Sequence, residues 1–347
     1  MKVLHLPWNV ASQMQVTVQA QRKLGLEVRG LSGPSRVQHH TGLELLPQGE
    51  GRSWPVRGWN AARRHAKVLE AITWADVIHW HCGPALKLNA DLHTARALGK
   101  KMFVEFWGSD IRDPETEMLD NPWFAEAWHS GKYECPGESR AGSRLMQQRF
   151  SRSSARLLIP ALGMRAYVVP EFFPKFVNTA QRLNLMDYTP SFPAASGSRP
   201  LVVHAPTAPV AKGSPYILAA VERLRSELNF DFQLVQGMTA QEARGWIARC
   251  DVFVDQLIAG DYGVAAVEAM AFGKPVISYI KPAVRHHYPA NFPVISADPG
   301  DITEVLRAIL SDGPRRRTVG EASLAWVEEH HDAHRIAAFL AEYYQAA

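Results

Sequence analysis

Apolar residues along the chain fall into short runs separated by stretches of helical spacing. KVLHL (Lys2–Leu6) has the pattern of a buried strand; helical spacing follows near residues 12–25 and stops at Gly25; LEVRGLS then reads as a second strand. Residues 60–74 have helical spacing, and DVIHW (Asp76–Trp80), KMFVEFW (Lys101–Trp107) and RLLIP (Arg156–Pro160) are further strand patterns. Strand, helix, strand in this order predicts a parallel α/β sheet. Residues 33–58 and 113–150 carry Gly, Pro and polar residues with weak periodicity and read as loops with short helices.

The stretch PSFPAASGSRP (Pro190–Pro200) has the composition of a linker, and the α/β pattern restarts after it. PLVVH, FDFQLV, DVFVD (Asp251–Asp255) and KPVISYI are strands. Gly213–Leu228, Ala240–Arg249 and Val264–Phe272 are helices, and a final helical region runs from about Glu321 to Tyr344. The predicted fold class is α/β, with two Rossmann-like doubly wound parallel-sheet domains facing a central cleft. The expected boundaries are residues 1–190, a hinge at 191–200, a second domain at 201–325, and a C-terminal helical segment at 326–347.

Composition narrows the class. With 46% hydrophobic and 21% charged residues over 347 positions, disorder and coiled coil are excluded. No run of about 18 apolar residues occurs, so no spanning helix is expected. The start, MKVLHLPWNVASQ, is broken by His5, Pro7 and Asn9 and is not expected to be a signal peptide. Three cysteines (Cys82, Cys135, Cys250) make no disulfide framework, which fits a cytoplasmic location. Residues 1–190 hold 24 basic and 17 acidic side chains, whereas the remainder is slightly acidic. The basic first half suits an anionic partner. RGWNAARRHAK (Arg57–Lys67) is open to two readings, a solvated helix face or a peripheral contact with anionic lipid at the inner face of a membrane. No nucleic-acid-binding module is recognisable.

The candidate chemistry is concentrated in the second half. In DVFVDQLIAGDYGVAAVEAMAFGKPVISY, a strand ends at Asp255, a loop with Gly260 and Gly263 opens a helix at Val264, and Glu268 lies about one turn inside. Backbone N–H groups at such a helix start bind anions, and a glutamate carboxylate accepts two hydroxyl hydrogens, as a ribose diol offers. HAPTAPVAKGS (His204–Ser214) places Lys212 before Gly213 at the next helix start, where an ammonium opposes a phosphate. His204 either contacts that phosphate or closes its strand. His79 and His81 share a strand face beside Cys82, and His330 and His334 share a helix face; neither set completes a metal-ligand pattern, and no metal is expected.

At these residues the chain resembles the family-4-type retaining glycosyltransferases of GT-B fold, a group of bacterial glycosyl transferases. Lys212–Gly213 and GDYGVAAVEAMAFGKPVISY (Gly260–Tyr279) carry the resemblance in the second half. MKVLHLP, WADVIHWH and FWGSDIR (Phe106–Arg112) carry it more weakly in the first, and WVEEHHDAHRIAAFLAEYY looks like the helix that crosses back to the first domain. The resemblance implies a nucleotide-diphosphate-sugar donor, a UDP-sugar first, with no further cofactor. It also implies transfer to a glycan, lipid-linked or other anionic acceptor in envelope polysaccharide assembly. Lys212 would pair with the diphosphate and Glu268 would hold the ribose. His204, Thr207, Gly213, Gly260, Asp261, Tyr262, Gly263 and Val264 would complete the donor site. Asn9, Trp107, Ser109, Asp110 and Arg112 would face the acceptor, Asp110 with a catalytic role. The sequence departs from the pattern at three points. Gly260 stands where the family has the first of two glutamates, Thr207 where it has an arginine, and Trp107 where it has a histidine. Alternatives carried beside the transferase are a non-catalytic nucleotide-sugar-binding subunit and another GT-B enzyme such as an epimerase.

Overall fold

The computed structural model describes residues 1–34, 41–48, 53–196 and 199–347. Parts of the stretch read as loop (35–40 and 49–52) and residues 197 and 198 of the Pro-rich stretch lie outside the described residues. The first unit comprises β1 (Lys2–Pro7), α1 (Gln13–Lys23), β2 (Glu27–Ser32), β3 (Glu44–Leu45), α2 (Trp54–Trp74), β4 (Val77–His81), α3 (Ala90–Ala97), β5 (Lys101–Glu105), α4 (Pro114–Met118), α5 (Pro122–His129), α6 (Arg140–Arg152), β6 (Arg156–Ile159) and β7 (Phe176–Asn178). Its seven strands are parallel, in the order β3-β2-β1-β4-β5-β6-β7.

The second unit comprises β8 (Leu201–His204), α7 (Ser214–Leu224), β9 (Asp231–Leu234), α8 (Ala240–Arg249), β10 (Val252–Val254), α9 (Val264–Ala271), β11 (Val276–Ser278), α10 (Pro282–Arg285), β12 (Ile295–Ser296), α11 (Ile302–Ser311) and α12 (Gly313–His330), and α13 (Ala333–Gln345) closes the chain. Its five strands are parallel, in the order β12-β11-β10-β8-β9. Strand order reverses at β1/β4 in one sheet and at β8/β10 in the other. Ligands of open α/β sheets bind beyond the strand ends at such points.

The strands are apolar because both faces are covered: Val252, Phe253 and Val254 of β10 and Val276 and Ile277 of β11 are fully buried. Helices differ more. The buried face of α6 is Ser143, Gln147 and Phe150, so its helical period is written largely in polar residues. Gln147 is satisfied there, donating to Tyr167 O (2.8 Å) and accepting from Val169 N (2.8 Å).

The chain crosses between the sheets twice, and the two crossings pair. Leu183 N donates to His331 O (2.9 Å), and Ala333 N donates to Leu183 O (2.9 Å). After this pairing α13 lies on the first unit, where Ile336, Leu340 and Tyr344 join Val3, Met14, Val77 and Phe103 in one core cluster. The proline-rich stretch is packed on the second unit: Ser191 N donates to Phe272 O (2.9 Å), and Lys274 Nζ donates to Ser191 O.

Candidate functional site

The loops after β8 and β10 meet at one ion pair. Lys212 Nζ lies 2.8 Å from Asp255 Oδ1, and Asp255 Oδ2 accepts the N–H of Gly263 at 2.7 Å. Asp255 is almost fully buried, whereas the Lys212 side chain keeps 17% of its surface. Lys212 is set in place by Gly213, whose φ of +76° and whose approach to Leu257 and Ile258 exclude a larger residue without strain. The arrangement is a cation at the mouth of a loop, with its counter-charge beneath it.

Glu268 sits on α9, about 7 Å further along the helix axis than Gly263. Its Oε1 accepts from the Tyr188 hydroxyl (2.8 Å) and from Arg244 Nη2 (3.0 Å), and the Arg244 guanidinium lies over the Tyr188 ring at 5.0 Å. Both bonds go to Oε1. Among the described residues Oε2 has no hydrogen-bond donor, and the side chain is 20% exposed. A carboxylate gripped from one side offers its other oxygen to hydroxyl groups.

The remaining residues expected on the donor side are engaged differently. His204 is fully buried; its Nδ1–H donates to Val254 O (2.8 Å), and Nε2 accepts from Ser214 Oγ (2.8 Å). It closes its strand and does not face the cleft, and burial lowers its pKa to about 4. Thr207 is exposed in the loop after β8. The Asp261 carboxylate accepts the N–H of Gly163 in the first unit (2.8 Å), its own neighbour Tyr262 N (2.9 Å) and the Tyr288 hydroxyl (3.0 Å). Burial raises its pKa to about 6. The Tyr262 side chain turns away toward the crossing, its hydroxyl donating to His331 Nε2 (2.9 Å), and Gln181 Nε2 donates to its carbonyl (3.2 Å). The backbone N–H groups of Tyr262 and Gly263 are thus taken within the protein. Val264 begins α9.

Gly260 has φ +70°, and a Cβ there would lie 2.3 Å from Cγ of Lys281. Lys281 fills the space a side chain at 260 would need and carries its ammonium across the cleft to Glu117 (2.9 Å) and Asp120 (3.0 Å) of the first unit. Tyr167 donates to the same Glu117 carboxylate, and Asn121 Nδ2 bonds both Glu117 Oε1 and Ile258 O at 2.7 Å. Glu134 adds another tie, its two carboxylate oxygens accepting the N–H groups of Val210 (2.7 Å) and Ala211 (2.9 Å). Arg285 bonds Tyr288 O and Pro289 O and does not reach Lys212's partner Asp255. Neither Lys281 nor Arg285 stands in for the cation absent at Thr207.

On the seven-stranded side, FWGSDIR folds as a turn held by its own acid. Asp110 accepts the N–H of Trp107 (3.0 Å to each oxygen) and of Gly108 (2.8 Å). Burial raises its pKa against these bonds. Arg112 Nη1 donates to Glu138 (2.7 Å) and Tyr133 (3.2 Å), Ser109 is exposed, and Asn9 is buried, accepting from Gln15 N (3.0 Å). Asp110 and Arg112 therefore hold local structure, and their charged atoms are turned inward.

Trp107 leads to a network that sequence alone did not single out as a unit. Its Nε1–H donates to His81 Nδ1 (3.2 Å). An indole is a donor only, so His81 carries its proton on Nε2 and passes it toward His5 Nδ1 (3.1 Å), and His5 Nε2–H donates to Gln21 Oε1 (2.8 Å). His79 Nδ1 bonds the Tyr344 hydroxyl of α13 at 2.6 Å. Glu105, fully buried, is ion-paired with the fully buried Arg182 of the crossing, which with His79 outweighs burial and holds its pKa down to about 2. His5, His79 and His81 offer ring nitrogens within 4.8 Å of one another. As bonded, His81 spends its Nδ1 lone pair on the Trp107 N–H and carries its hydrogen on Nε2, and Arg182 adds a positive charge nearby.

The structure brings Lys212, Gly213 and Gly263 together around Asp255, and places Glu268 further along α9 with Tyr188 and Arg244 as partners. Asp255 was visible as an acid at a strand end before a glycine loop. Tyr188 and Arg244 come from distant elements and carry no local signal.

No family model matches the chain, and no curated protein matches it. Solved structures do. Sucrose-phosphate synthase from Thermosynechococcus elongatus superposes with a TM-score of 0.64 at 14% identity, over 99% of this chain and 98% of that one. HepE of Anabaena, in complex with UDP and glucose, superposes with 0.64 at 13% identity, over 100% and 99%. WaaG, a glycosyltransferase involved in lipopolysaccharide biosynthesis, gives 0.60 at 13% identity, over the full length of both chains. The chain has the two-sheet GT-B fold that these glycosyltransferases share.

Proposed function

We propose that this chain is a glycosyltransferase that moves a sugar from a nucleotide-diphosphate donor, a UDP-sugar in first place, to an acceptor hydroxyl. The observation that carries the reading is Glu268, anchored on one oxygen by Tyr188 and Arg244 and partly exposed, on the same helix whose start holds the Lys212–Asp255 pair. HepE, of the same fold, was solved with UDP and with UDP-glucose, which supports the donor class.

In this reading Glu268 Oε2 accepts the ribose hydroxyls. Lys212 exchanges part of its attraction to Asp255 for the departing diphosphate. The bond from the anomeric carbon to the diphosphate breaks, the acceptor oxygen bonds that carbon on the same face, and the acceptor proton passes to a diphosphate oxygen. Configuration is retained, as in the family-4 type. Lys212 and the start of α9 supply the counter-charge, so the reaction proceeds in EDTA. Asp110 is a positioning residue that holds Trp107. The acceptor is a glycan or a lipid-linked, anionic molecule met at the cytoplasmic face of a membrane. Support for that contact comes from the first turns of α2, where Trp54 (82% exposed) and Trp59 (66%) stand beside Arg57 and Arg63.

The test is a thermal-shift panel of nucleotide sugars in EDTA. One UDP-sugar raises the melting temperature in the wild type, and Glu268→Ala abolishes the shift while its own melting temperature stays within a few degrees. A panel with no shift, or a shift untouched by Glu268→Ala, sinks the reading. Binding without transfer to any acceptor favours a nucleotide-sugar-binding subunit. The missing carboxylate at Gly260 and the neutralised Lys212 support that second reading.

A further inference from the structure

A cavity of about 440 Å³ opens beside the double crossing, with Tyr262 in its wall. Its walls come from both units and from the crossing itself: residues 160–162 and 178–181 on one side, 287–289 on the other, and the α12–α13 junction across the end. Its size is that of a small-molecule site.

The walls are flat and aromatic. The His330 ring stacks on Trp326 at 3.7 Å between centroids and 14° between planes, and Phe339 of α13 leaves 42% of its surface uncovered at the edge. Two polar groups of the wall are donors. Asn178 Oδ1 is held by Arg165 Nη1 at 2.6 Å, which fixes the amide so that Nδ2 carries the hydrogens. That nitrogen is buried, and among the described residues it has no partner. Arg335 adds a guanidinium, and Glu329 at the rim is the opposing acid. Arg165, which holds Asn178, is a second guanidinium close to this wall.

We propose that this cavity is a second binding site, for a planar aromatic anion whose ring lies against His330 and Phe339 and whose anionic group meets Asn178 Nδ2 and Arg335. The inference does not depend on the transferase reading. Because both units and both crossings line the cavity, an occupant fixes the relative setting of the two sheets.

Anilinonaphthalene sulfonate, titrated by fluorescence into the full-length folded chain, is the probe, with naphthoate as competitor. The expected result is saturable binding to one site, displaced by naphthoate. Phe339→Ala and Arg335→Glu, both at exposed positions, each weaken it roughly ten-fold, and Ala161→Trp, which fills the cavity, abolishes it with an unchanged circular dichroism spectrum. Unsaturable fluorescence, no binding, or equal binding in Arg335→Glu and Phe339→Ala overturns the proposal. Should Ala161→Trp fail to fold, the two exposed variants decide alone. UDP-sugar thermal shifts in the same variants are expected to stay intact, so failure here is separable from failure of the donor site.

Discussion

The two sides of the cleft each gather a set of polar residues and put them to opposite use. On the five-stranded side, Lys212 and Glu268 keep part of their surface and an unshared oxygen or charge. On the seven-stranded side, His5, His79, His81, Glu105 and Arg182 are all fully buried and bonded mainly to one another. A topological switch point offers a place for a ligand, and on the seven-stranded side the protein's own buried side chains fill it. The filled one is structural: it binds the crossing through Arg182 and α13 through Tyr344 to the floor of the first sheet.

The strongest way to break this contrast is acid. His5, His79 and His81 are held below the ordinary histidine pKa by burial first, and His204 and His331 are lowered to about 4. A lowered folded pKa means that the unfolded chain binds more protons as pH falls. For His204 and His331 that stability is complete above about 6.5 and lost between about 6.5 and 4, about 3 kcal/mol each, and His5, His79 and His81 lose stability in the same direction. Urea melts from pH 7.5 to 4.5 should show the midpoint collapsing in that window; a flat profile would remove the buried neutral histidines from the picture.

Next in size is Arg182→Met. It strands Glu105 without its counter-charge and should cost about 3–5 kcal/mol, read as a large fall in melting temperature. Double replacement of Arg182 by Met and Glu105 by Gln should recover a good part of it.

Glu134→Gln should act on the open side instead. It loosens the tie to Val210 and Ala211, leaves stability within about 1 kcal/mol because the residue is exposed, and tightens nucleotide binding by a few-fold, since a phosphate competes for the same N–H groups. Weaker binding would show that the tie shapes the site and does not obstruct it. The smallest effect belongs to Trp107→Phe, which deletes one donor to His81 and should cost about 1 kcal/mol with little change in nucleotide affinity.

This contrast also marks what the sequence could show. The β–α alternation was legible because strands such as DVFVD are covered on both faces and so are apolar throughout. Helix α6 was not, because its inward residues are Ser143 and Gln147, whose burial depends on partners at Ile111, Tyr167 and Val169. The two-residue strands β3 and β12 were too short to carry a pattern. In the last helical region the sequence suggests one continuous stretch, whereas the structure breaks it at His331, where the backbone turns to pair with Leu183. At the site, Lys212 and Glu268 were legible from spacing. Tyr188, Arg244 and the Lys281–Glu117 pair were not, because each joins residues 24 to 164 positions apart. FWGSDIR suggested outward chemistry, but the same short acid after two N–H groups also makes a self-held turn, and that is how it folds.

The paired crossing at Leu183 and His331 has a consequence for anyone who would recombine this protein. The unit around the seven-stranded sheet is discontinuous: α13, separated from β7 by the whole second unit, completes its core and supplies Tyr344 to His79. A chimaera made by joining two halves near residue 190 would give the front half a foreign last helix. Swapping the nucleotide-side module between such chains calls for an internal cassette with two junctions, one close to Leu183 and one close to Asp332, so that front sheet and closing helix always come from the same parent.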